Sequence, residues 1–209
     1  MRKLAVLLCA ALAIQAEPVL TYSKYFKGSQ PENQFIIVNR NGDAVYKEAV
    51  DDDQPLKFQL TEAETSEMFS LAGKLGHFNH PVESGLKVAN MGEKIFRYED
   101  GAVRNEVKFN YSQDPDAQAL LGMFERISET EQRYIDLDRC VHFDKLGVNQ
   151  AILELEIIYE RKRLVAPQQF LPLLDRISKN ESFLHMARER AASLADAFRS
   201  NPSARANQP

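Results

Sequence analysis

The sequence predicts an α+β fold: antiparallel β-hairpins with a packed helix over residues 34–114, followed by an all-helical half over 115–199. Three observations predict it. Two stretches carry β-rich runs on either side of a turn dipeptide, and the second alternates apolar and charged residues. From Pro115 onward the apolar spacing changes to three and four, the mark of helices with one buried face. The two patterns meet once along the chain, near 114/115.

The first sixteen residues, "MRKLAVLLCAALAIQA", carry Arg2 and Lys3, then an apolar run from Leu4 to Ile14, then Ala16. A basic start, a short apolar run and a small final residue are what export machinery reads as a signal peptide, and the run falls short of the ~20 residues a membrane span needs. Residues 1–16 are therefore expected to be cleaved, and the protein to be periplasmic or secreted. Leu8 stands before Cys9 where a lipoprotein signal wants a small residue, so no lipid anchor is expected. Cleavage would leave about 190 residues, enough for one or two compact domains. It would also leave Cys140 as the only cysteine and take the formal charge from −4 to −6 through the loss of Arg2 and Lys3. A lone thiol forms no internal disulfide, so a packed core must stabilise the chain. The negative balance argues against nucleic-acid binding, which draws on clustered cations. No later stretch is apolar enough to span a membrane. Residues 17–33 read as an N-terminal extension.

In "QFIIVNRNGDAVYKEA" two β-rich runs flank Asn41-Gly42, a dipeptide that supplies the positive φ of a tight hairpin. "DDD" at 51–53 lacks the spaced oxygen ligands and glycine of a calcium loop, and reads as a solvated turn before Pro55. In "KIFRYEDGAVRNEVKFNY" Phe96 and Tyr98 alternate with Arg97 and Glu99 before Asp100-Gly101; Val103, Val107 and Phe109 follow in the returning strand. One apolar and one charged face suit an antiparallel sheet wetted on one side. Each hairpin leads to a helix through a similar junction. "KFQLTEAE" ends in Thr61 with Glu64 three residues on, a capping box; "KFNYSQDPD" ends in Ser112 and Asp114 before Pro115. This suggests a ββα duplication. The first helix is expected from Glu62 to about Leu75, stopped by Gly76.

A long helix is expected over 115–146, with Leu120, Phe124, Ile127, Tyr134, Leu137 and Val141 on its apolar face. A second follows from Val148 to about Leu164, a third begins near Pro167, and a fourth begins after an Asn180 cap. Residues 200–209 have no apolar period and read as a disordered tail.

"DLDRCVHFDKLG", residues 136–147, holds the densest set of reactive side chains. At ~100° per residue Cys140 and His142 point ~200° apart, so they cannot form a thiolate–imidazole pair within one helix. Asp138 and His142, four apart, do share a face. The commoner outcome is a surface ion pair, and two ligands alone do not make a metal site. "GHFNHP" places His77 and His80 in the loop after the first helix, a spacing that can ligate zinc once a third ligand arrives. No phosphate loop, Gly-x-Ser-x-Gly elbow or Cys-x-x-Cys is present. No catalytic residue and no cofactor is expected, and the one alternative metal set is His77, His80, Asp138 and His142. The favoured expectation is a non-enzymatic interaction or ligand-binding module whose partner is a protein or small ligand. The alternatives are a metal-dependent hydrolase on that histidine and carboxylate set, and a structural homodimer through the 115–146 helix.

Overall fold

The computed structural model describes residues 17–200; the expected signal peptide and residues 201–209 of the expected tail lie outside the described residues. Six strands form one antiparallel sheet: β1 (Val19–Tyr25), β2 (Asn33–Asn39), β3 (Asp43–Lys47), β4 (Leu56–Gln59), β5 (Glu93–Asp100) and β6 (Val103–Phe109), in the order β4-β3-β2-β1-β5-β6. With five helices beside it, the fold is α+β with a helical C-terminal half.

The sheet begins earlier than expected. Residues 17–33, read as an extension, contain β1, which lies between β2 and β5 with Tyr22 opposite both Ile36 and Phe96. Leu20 and Tyr22 are fully buried. No turn dipeptide marks β1 as half of a hairpin, and its pairing with β5 is made far along the chain, from Val19 opposite Glu99 to Tyr25 opposite Glu93. Local pattern carries no record of such a partner.

Both expected hairpins form. Gly42 turns β2 into β3 at φ +89, and Gly101 turns β5 into β6 at φ +56. The expected duplication is looser than the sequence suggests. Phe109 ends the second hairpin's own strand, whereas Phe58 lies in an additional edge strand, β4. What recurs is edge strand, cap, helix. Helix α1 (Glu62–Lys74) has the full Thr61/Glu64 capping box. Helix α2 (Pro115–Phe143) starts at Asp114, whose side chain accepts from the amides of Asp116 and Ala117.

Both helices cover one side of the sheet. Phe124 on α2 stacks on Tyr22 with ring centroids 4.9 Å apart, and Phe96 lies against Phe78, Phe109 and Phe124. The other side is open, with cross-strand pairs Arg97–Glu106, Arg104–Glu99 and Lys108–Glu93 on β5 and β6.

At 29 residues, α2 is about 43 Å long and serves two cores. Leu120, Phe124 and Ile127 belong to the sheet core. Leu137 and Val141 belong to a second core with α3 (Val148–Glu160), α4 (Leu171–Lys179) and α5 (His185–Ser200). The hydrophobic division thus falls inside α2 and not at 114/115. The loop 161–170 seals the junction. Its Val165 and Ala166 pack into the sheet core, and Val165 N–H donates to Thr130 Oγ1 at 3.1 Å. Helix α3 ends earlier than the expected Leu164 because Lys162 takes a left-handed φ of +56. Pro167 opens a 3-10 turn that runs into α4. Among the described residues, no helix is long and apolar enough to cross a membrane.

Candidate functional site

Alternation along β1 carries Leu20, Tyr22 and Lys24 to the helix-covered side, and along β5 it carries Lys94, Phe96 and Tyr98 there. The register places Lys24 directly opposite Lys94, with Gln34 and Phe109 on their outer sides. The last row of an otherwise apolar sheet surface therefore reads Gln34, Lys24, Lys94, Phe109. Gln34 is tied to α2, where Ser128 Oγ donates to its Oε1 at 3.0 Å. Beyond it the layer opens into a cleft of about 690 Å³ between the lysine row and the first half of α2. Phe26, Met91, Phe109 and Leu121 form apolar walls; Lys24, Lys94, Asn110, Gln118 and Glu125 supply polar groups. That size and mixed lining are typical of small-molecule sites.

One wall is the loop between α1 and β5, and Asn110 clamps it. Asn110 Nδ2 donates to Ala89 O at 3.0 Å, its Oδ1 accepts from Met91 N–H at 2.8 Å, and its own N–H donates to Glu83 at 2.6 Å. That last bond is the main reason the Glu83 carboxyl is held below its ordinary range. Gly92, at φ +94, lets the loop pass Phe26: a Cβ there would stand 2.9 Å from the Phe26 Cβ.

Lys94 is 3% exposed. Its Nζ donates to Asn110 O at 2.8 Å, and to the carbonyls of Met91 and Gly92 at a long 3.4 Å each. The lysine ion pairs among the described residues are Lys74–Asp116 and Lys108–Glu93, so neither Lys24 nor Lys94 has a carboxylate partner. Burial pushes the Lys94 ammonium down from its usual range, and the neighbouring charge of Lys24 adds to the effect. Glu125 and Glu83 act weakly the other way.

The histidine and carboxylate set expected as an alternative metal site is not gathered by the fold. His77 and Phe78 take left-handed φ values of +51 and +62 in a tight turn after α1. The His77 ring lies against Tyr98, centroids 4.3 Å apart, and its carbonyl accepts from Asn105 Nδ2 at 2.9 Å. His80 contacts Asn79 Oδ1 at 2.8 Å. Asp138 and His142 sit at the far end of α2, where His142 Nδ1 is 3.3 Å from Asp138 Oδ1 and its Nε2 is 3.0 Å from Arg176. Among the described residues, no group of three or more His, Cys, Asp or Glu side chains is placed to hold a metal ion. Cys140 is half-buried against the second core, and burial, with Asp144 beside it, pushes its thiol upward. The apolar stripe that suggested a dimer along 115–146 is covered within the chain, since Leu120, Phe124, Ile127, Leu137 and Val141 are all buried.

The lysine row was missed in the sequence, although its signal is there. Lys24 stands two residues after Tyr22, and Lys94 two before Phe96, in the phase of the buried face. No family model, curated protein or solved structure matches the chain.

Proposed function

We propose that the protein is an exported, non-enzymatic ligand-binding module whose site is the cleft between the Lys24–Lys94 row and α2. A single observation carries the reading: a concave, mostly apolar space of about 690 Å³ that ends on a buried, ion-unpaired lysine. A cation withdrawn from water without a counter-ion raises free energy, and a bound ligand is one way to recover it. The Asn110 bonds hold the loop wall in place before a ligand arrives, which lowers the ordering cost of binding.

Fragment screening by two-dimensional amide NMR tests the site. Ligands should perturb the amides of Lys24, Met91, Asn110 and Leu121 together. A set of binders that all perturb other surfaces would overturn the proposal. Export is tested separately by the mass of protein recovered outside the cytoplasm, where a chain beginning near Glu17 is expected and an intact Met1 chain retained inside would sink it.

A second reading, docking of a protein partner, draws on the tip of the helical half. Phe143 is 87% and Leu146 76% exposed there, more than isolated surface apolar residues require. Replacing both with serine should then abolish capture of a partner while leaving ligand binding in the cleft intact.

A further inference from the structure

We infer that the cleft selects an organic monoanion with an apolar body, its head group on the Lys24–Lys94 row and its body against Phe26, Met91 and Leu121. The inference rests on the ligand-binding reading above and names the ligand class for that same site.

Three observations lead there. The two lysines are direct cross-strand neighbours on the helix-covered face, one of them almost wholly buried. Side chains at such positions start ~5 Å apart, so like charges there repel, and an anion between them relieves both. Lys94 has bonds to spare: the two 3.4 Å contacts to Met91 and Gly92 are weak and can be exchanged for one charge-assisted bond. Lys24 needs no rearrangement, because it makes no ion pair and lines the cleft directly.

The number of charges sets the number on the ligand. Lys24, Lys94 and Glu125 are the charged residues lining this cleft, and their sum is a single positive charge. Glu83 does not line the cleft; its carboxylate accepts from the amides of Asn110 and Ser84, and its charge acts only weakly on Lys94. One negative charge on the ligand neutralises the cleft, whereas a second would be buried unpaired, at a cost. Glu125 stands on the α2 wall across from the lysines without touching either, so it should oppose the anion.

The test uses the mature chain and three probes of one chain length: decanoate, decanol and decyltrimethylammonium. Calorimetry measures affinity, and amide shifts at Lys24, Met91 and Leu121 report the place. Decanoate should bind at least about tenfold more tightly than either other probe, the scale of one charge-assisted bond. Lys24→Gln, a change at a half-buried side chain that leaves the fold standing, should weaken decanoate about tenfold and leave decanol unchanged. Glu125→Gln should tighten decanoate. Lys94→Met could unfold the protein, which is why Lys24 and Glu125 carry the test. Equal binding of decanoate and decanol at the cleft amides would overturn the anion inference and leave the ligand-binding reading in place. Failure of decanoate to bind, or indifference to Lys24→Gln, would overturn the inference as well, while fragments seated elsewhere would overturn the reading beneath it.

Discussion

Glu131, at the middle of α2, accepts a 2.9 Å hydrogen bond from Gln169 at one carboxyl oxygen and leaves the other, fully buried, without a partner. The bond ties α2 to the loop that seals the two cores. Burial raises the Glu131 carboxyl to about 8, and the bond from Gln169 opposes the rise only in part. The side chain is therefore protonated in the folded protein at neutral pH.

Stability should depend on pH through this residue. In the unfolded chain the carboxyl titrates near 4.5; in the folded protein it titrates near 8. Between those values the folded state holds more protons, so stability falls as pH rises and levels off above about 8. Glu131→Gln should match the native protein at pH 4 and exceed its stability at pH 9 by a few kcal/mol, the linkage expected of a shift of several pH units. Urea unfolding across that range measures it. A mutant that follows the native pH profile throughout would refute the assignment.

Cys140 should behave as packing material. Its raised thiol predicts reaction with a disulfide reagent at neutral pH more slowly than a free cysteine. Cys140→Ala should cost about 1 kcal/mol. Fast, activated-thiolate kinetics in the folded protein would contradict this.

Two hairpin glycines should differ in their tolerance of alanine. Both have positive φ, but a Cβ at Gly42 would lie 2.6 Å from Gln59 Nε2 and 2.8 Å from Leu60 O, whereas nothing lies within 4 Å of one at Gly101. Gly101→Ala should cost only backbone strain, about 1 kcal/mol, and Gly42→Ala about 2–3 kcal/mol. Equal losses in thermal or urea unfolding would count against the crowding at Gly42.

Residues 17–114 expressed alone should not fold. The sheet core takes Ala117, Leu120, Met123, Phe124 and Ile127 from α2, and without them Tyr22 loses the ring stacked on it and Phe96 one of its aromatic neighbours. Dispersed amide resonances and a cooperative melt from that fragment would show the expected division at 114/115 to be real after all.

What was legible in the sequence follows from the range of each signal. The two hairpins, the Thr61/Glu64 capping box, the Asp114 cap and the face of α2 depend on residues within a few positions of one another, so propensity and periodicity reveal them. The lack of a Cys140–His142 pair followed from helical geometry alone. The scatter of His77, His80, Asp138 and His142 did not, because it depends on how the two halves fold around α2.

The sequence by itself determined the α+β class, the Thr61 and Asp114 caps, the two hairpin turns and the phase of their strands, because these arise from neighbouring side chains and the φ/ψ preferences of single residues. Only the tertiary structure decided that β1 is an inner strand, that α2 joins two cores, and that Lys24 stands opposite Lys94 in the lining of a cleft. Each of those rests on cross-strand register or packing between residues tens of positions apart. Such pairings become favourable only when the whole apolar layer closes, and no local pattern encodes them.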